Sequence, residues 1–104
     1  MPAERRPTLR TDDRHPLEAR VLLKLFGSQS RFTGVLSDLS VEGCRVTTPQ
    51  PLQTGTQLLV RLPGVGFWQG AVAWRRDDTA GIEFQRRLHP ATVEQFALRH
   101  SPAG

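Results

Sequence analysis

From Leu17 to Gln85, short strand-like runs recur about every ten residues, and this recurrence constrains the fold more than any other feature. In "LEARVLLKLFG", Leu17, Ala19, Val21, Leu23 and Leu25 alternate with Glu18, Arg20, Leu22 and Lys24. That is the period of two of a half-buried strand, not the 3.6 of a helix. "RFTGVLSD", "CRVTT", "TQLLVRLPG", "FWQGAVAWRR" and "AGIEFQ" read as five further strands. The punctuation agrees: "FGSQSR", "LPGVGF" and "RRDDTAG" are turn-forming, and "TPQPLQTG" is too rich in proline for a ladder. Only "HPATVEQFALRH" has helical spacing, with Val93, Phe96 and Ala97 at i, i+3 and i+4 and Pro90 suited to a first turn. The expectation is an all-β, six-stranded antiparallel barrel or sandwich with a C-terminal α-helix. Closure into a barrel would remove the exposed edges of so short a β-protein.

At 104 residues the chain is expected to be one domain. Charged residues and proline dominate residues 1–16, which read as a flexible N-terminal arm, with the barrel over 17–100 and the helix over about 89–100. Of the 14 basic residues, 13 are Arg and only Lys24 is Lys, and the net charge is +4. Residues 1–20 carry five Arg against four carboxylates. A surplus of one is thin for a duplex-binding surface but compatible with a small phosphate-bearing ligand, so nucleic acid is disfavoured as a partner. No apolar run approaches the roughly 20 residues that cross a bilayer, and the first sixteen residues have no apolar core of the secretory kind. A lone Cys44 cannot form an internal disulfide. The expected compartment is the cytoplasm, without membrane insertion.

Catalytic and metal chemistry finds little support. His15, His89 and His100 have no metal-ligand spacing, Cys44 alternates with strand residues as a small buried apolar group would, and neither G-x-S-x-G nor a P-loop occurs. The chain is therefore expected to be no enzyme and to hold no metal. Two other features carry chemistry. Arg6/Arg10 and Arg10/Arg14 are overlapping R-x-x-x-R pairs, with Arg5 in front. Guanidinium forks grip a phosphate, or the O6/N7 edge of guanine, with two donors at once, although four arginines on an arm also fit a merely solvated tail. In "SDLSVEGCRV", Asp38 can accept from a base edge, Ser40 can donate or accept, and Gly43 would let a flat ring approach the backbone. The same residues suit a plain turn.

Taken together, an R-x-x-x-R arm before the first strand and D-x-S-x-x-G after the second resemble the PilZ domain family. The resemblance continues through Gly70, Val72 and Trp74, then Gly81, Ile82 and Phe84, and it covers about Arg10 to Leu98. It implies a six-stranded antiparallel β-barrel of the split-barrel type and a receptor for the bacterial second messenger cyclic di-GMP, with no further cofactor. Arg10 and Arg14 would grip phosphate and guanine, while Asp38, Ser40 and Gly43 would hold the other side of the ligand. The register of the first strand favours Arg10/Arg14 over Arg6/Arg10. Output would pass to an effector protein. A ligand-independent interaction module of the pilus-assembly type is one alternative. A small barrel binding single-stranded nucleic acid through Arg, Phe67 and Trp68 is another.

Overall fold

Alternation along the first strand decides which side chains fill the molecule. The computed structural model describes residues 14–101. Its strands are β1 (His15–Leu25), β2 (Arg31–Leu39), β3 (Gly43–Thr47), β4 (Gln57–Leu62), β5 (Gly66–Arg76) and β6 (Thr79–Phe84), followed by one helix, α1 (Pro90–Arg99). Leu17, Ala19, Val21 and Leu23 of β1 point inward and are buried, as are Leu58, Val60 and Leu62 of β4. Burying each large aliphatic side chain contributes about 1.5–3 kcal/mol, so the period of two is also where the stability lies.

The strands form a closed ring in the order β1–β2–β3–β6–β5–β4, every neighbouring pair antiparallel. Leu23 lies opposite Phe32 of β2 on one edge and Val60 of β4 on the other, which closes the barrel, the β4 edge being paired over Leu22–Leu25. In a ring of six with this order, β3 faces β4 and β6 faces β1 across the core. β1 begins at His15, two residues ahead of the start that alternation gives, because His15 and Pro16 pair with Leu39 and Asp38. The remainder of the expected arm, with Arg5, Arg6 and Arg10, lies outside the described residues.

Helix α1 plugs the barrel. Val93 and Phe96 are buried in the same core as Leu17 and Leu23, and Ala97 packs against it. His89 caps its first turn by accepting the Ala91 N–H on Nδ1 at 3.0 Å, next to Pro90. At the other end the His100 carbonyl accepts from the Glu18 N–H at 2.8 Å, tying helix to β1. Among the described residues no helix is long and apolar enough to cross a membrane.

The ladders depart from regularity at three places: between Pro16 and Ala19 of β1 where it pairs with β2, and at two others near one another in the ring. Between β2 and β3 the register shifts from Leu36↔Val46 to Asp38↔Arg45, leaving Ser37 as an extra residue. Between β5 and β6 it shifts from Val72↔Ile82 to Trp74↔Gly81, leaving Ala73 extra. Each inserted residue reverses the inward–outward parity of the residues after it.

Candidate functional site

Without the Ser37 bulge, Asp38 would share the inward face with Leu36. With it, Asp38 stands directly opposite the outward-facing Arg45 of β3. Arg45 Nη2 meets Asp38 Oδ2 at 3.1 Å, and Arg14 Nη1, just ahead of β1, donates to Asp38 Oδ1 at 2.9 Å. The two guanidinium groups cover the carboxylate so well that Asp38 is only 8% exposed. Burying a charge is costly unless it is paired and hydrogen-bonded, and here it is paired twice. The fold thus brings together Arg14 and Asp38, one from each half of the two-part motif. Arg45 belongs to neither half. Its signal is nonetheless present in the sequence: a tight turn pairing Leu39 with Cys44 places Asp38 across from Arg45, an opposite-charge cross-strand pair.

Ser40 and Gly43 close that turn. The Ser40 N–H donates to the Gly43 carbonyl at 2.8 Å. Its Oγ accepts from the N–H groups of Glu42 and Gly43, each at 3.2 Å, and donates back to the Gly43 carbonyl at 3.3 Å. A hydroxyl has one donor and two acceptor sites, so the turn uses all of them. The long Ser40–Gly43 carbonyl bond is the weakest of the set and the one a ligand could replace most cheaply. At Gly43 the close approach is made by the chain itself: a Cβ there would stand against the Ile82 carbonyl oxygen of β6. The glycine lets two strands meet, at the position where the motif alone suggests room for a ligand ring.

Beside this corner lies an open pocket of about 280 Å³, lined among others by Arg14, Ser40, Gly43, Ala73, Trp74 and Glu83. Its wall is a product of the Ala73 bulge. Ala73 and Trp74 both turn outward, whereas unbroken alternation from Gly70 and Val72 would have sent Trp74 into the core. Trp74 is 39% exposed, with Nε1 and Cε2 against Gly81 where any Cβ would collide. An indole face held over a glycine at a pocket rim is a surface on which a flat ring can stack. Cys44 lines the pocket floor but is buried; burial first, and the Asp38 charge second, push its thiol far above the ordinary range, with Arg14 opposing weakly. A thiol held neutral in this way is inert packing. Among the described residues no three of His, Cys, Asp and Glu are grouped to hold a metal ion. Phe67 and Trp68 divide as alternation requires: Phe67 is exposed, while Trp68 packs on the core and donates Nε1 to the Arg86 carbonyl at 2.6 Å.

A sequence model of one family, the PilZ domain, matches residues 4–98. The chain belongs to the PilZ domain family. No curated protein sequence matches it at a significant level. Solved structures agree on the fold. The PilZ domain of CeSA from a cellulose-synthesizing bacterium superposes with a TM-score of 0.58 at 21% identity, covering 83% of this chain and 91% of that one. The PilZ domain of YcgR from Escherichia coli, solved with c-di-GMP, gives 0.55 at 16% identity over 84% and 87% of the two chains. The inhibitor of motility MotI/DgrA of Bacillus subtilis gives 0.53 at 16% identity over 84% of this PilZ chain but only 48% of its own length.

Proposed function

We propose that this PilZ domain is a receptor for cyclic di-GMP, which it binds between the arginines preceding β1 and the Asp38–Ser40–Gly43 corner, and that it passes the signal to a partner protein without doing chemistry of its own. One observation carries the reading: the Arg14 guanidinium rests on Asp38 at the rim of a pocket walled by an outward-turned tryptophan. An anionic guanine dinucleotide needs a fork for phosphate or O6/N7, acceptors for its base N–H groups and a face for its purine ring. Arg14, the Glu83 carboxylate and Trp74 are of those types and line one space, with the Asp38 carboxylate held behind Arg14. Among solved relatives, the YcgR PilZ domain was captured with c-di-GMP. Arg10, outside the described residues, supplies the second guanidinium of the R-x-x-x-R pair in this reading.

Double pairing at Asp38 gives the proposal a mechanism. Arg14 is the more exposed half of the pair, 38% against 11% for the Asp38 side chain, and with Arg45 also on the carboxylate its pairing is worth on the order of 1 kcal/mol. Ligand phosphate can therefore draw Arg14 away from Asp38 at small cost. Arg45 stays behind and keeps the carboxylate compensated, so the departing guanidinium leaves no bare buried charge. The change of partner by Arg14 repositions the chain leading into β1, and that is the event a partner protein would read.

Trp74 fluorescence tests this directly. In a Trp68→Phe variant, cyclic di-GMP is expected to quench the remaining tryptophan saturably, while an oligo(dT) strand at equal nucleotide concentration leaves it unchanged. Saturable quenching by the oligonucleotide alone would remove the receptor reading and favour a nucleic-acid barrel.

A further inference from the structure

The wall opposite the pocket carries a second surface. Outward residues of four strands lie in cross-strand rows: Val35–Arg20, then Thr33–Leu22–Arg61–Phe67, then Arg31–Lys24–Leu59–Gln69. Four cations, Arg20, Lys24, Arg31 and Arg61, are interleaved there with half-exposed or exposed apolar side chains, Phe67 being 50% exposed. None of the four cations has an ion-pair partner among the described residues. Most carboxylates among the described residues lie elsewhere: Glu42 and Glu83 line the Arg14 pocket, Asp38 pairs with Arg14, Asp77 and Asp78 form the β5–β6 turn, and Glu94 is on α1. Among the described residues, Glu18, two positions before Arg20 on β1, lies beside Arg20 and Val35 at the end of the rows. Beside Leu59 and Phe67 the surface dips into a hollow of about 450 Å³, flanked by Trp68, Gln85 and Arg86.

We propose that this β2–β1–β4–β5 face docks an acidic stretch of a partner protein that presents one large apolar side chain to the hollow beside Phe67. Charge complementarity selects the occupant. Four uncompensated cations repel a second copy of this basic chain, and they match carboxylates placed on either side of an apolar anchor. Bases of a single strand would want several free aromatic faces, but Trp68 is already covered by Arg86, whose guanidinium lies 4.8 Å from its ring centre. Three rows about 6.8 Å apart on four strands about 4.8 Å apart span on the order of 400 Å². That is about half of what a standard stable interface takes from one partner, so the complex is of the weak, reversible kind. Because β4 and β1 face β3 and β6 across the barrel, docking leaves the Arg14 pocket open.

The test uses the full chain, labelled with ¹⁵N, and a synthetic peptide of Asp and Glu flanking a central Phe, without cyclic di-GMP, so that its outcome is independent of the receptor reading. Amide signals of Leu22–Lys24, Leu59–Arg61 and Phe67–Gln69 are expected to move, and those of Ser40–Arg45 to stay. Lys24→Glu with Arg61→Glu should weaken the peptide about tenfold or more, and Phe67→Ala should weaken it at unchanged charge. The second variant decides the matter if charge reversal disturbs the folded spectrum. Shifts centred on Ser40–Arg45, affinity untouched by Phe67→Ala, or tighter binding of oligo(dT) or of phosphatidylglycerol vesicles to the same face would each overturn the proposal.

Discussion

Replacing Arg14 by alanine is expected to lower cyclic di-GMP affinity by about 100-fold or more, which is roughly 2.7 kcal/mol, while moving the Tm of the free protein by no more than about 8 °C. Charge-assisted, bidentate contacts are the strong class of hydrogen bond, and a fork facing phosphate or guanine has no substitute in a methyl group. Nothing else described at the pocket replaces it. Arg45 lies on the far oxygen of Asp38, and Arg87 pairs with Glu42 at 3.6 Å. Free-state stability has a different dependence. The Arg14 side chain is 38% exposed, its pair with Asp38 is worth at most about 1 kcal/mol, and Arg45 remains to compensate the carboxylate. A domain of this length shifts by about 4–8 °C per kcal/mol. Calorimetric titration beside a thermal melt separates the two quantities. Wild-type affinity with an unchanged melt would remove Arg14 from the site, and equal losses in both would recast it as a structural clamp.

Strand number and the terminal helix were legible because each rests on a periodic pattern or on turn chemistry that repeats along the chain, whereas alternation left barrel and sandwich open and the resemblance implied the barrel. The meeting of Arg14 with the Asp38 turn was legible only through the order of two motifs, since nothing in "RTDDRHP" itself says where its side chains reach. What alternation could not convey was the bulges, two of which aim side chains at the candidate site. A strand with one inserted residue has the same composition as one without it, and both Ser37 and Ala73 pass unnoticed in a reading by period two. Yet those insertions turn Asp38 and Trp74 outward, Trp74 into the pocket wall and Asp38 onto Arg14, which lines the same pocket. The least predictable backbone in the molecule is therefore where its candidate binding groups are aimed. Ser40 and Gly43 illustrate the converse. Their turn reading holds in atomic detail, with every Ser40 hydroxyl site engaged by its own loop, and a ligand role for them would have to displace bonds already made.

Gly43→Ala separates those two readings. The expected result is a loss of about 2–4 kcal/mol of stability in the absence of any ligand, a fall in Tm of about 8–32 °C by the same conversion. A Cβ at this position would collide with the Ile82 carbonyl oxygen and sit 3.3 Å from the Glu83 Cα, and both are backbone atoms of β6. Neither can rotate aside. Gly43 pairs with Glu83, and Cys44 with Ile82, so separating the strands breaks ladder bonds at about 1 kcal/mol each, in addition to the roughly 1–3 kcal/mol typical of overpacking. Gly81 provides the internal control. There the three atoms nearest an added Cβ all belong to the Trp74 ring, a 39% exposed side chain that can swing into solvent. Gly81→Ala should therefore melt close to wild type while displacing the pocket wall. If glycine at 43 served only to admit a ligand ring, the two variants would melt alike. A Gly43→Ala protein with the wild-type Tm would mean that β6 yields at this point, and that the strand contact beneath the D-x-S-x-x-G turn is looser than its geometry states.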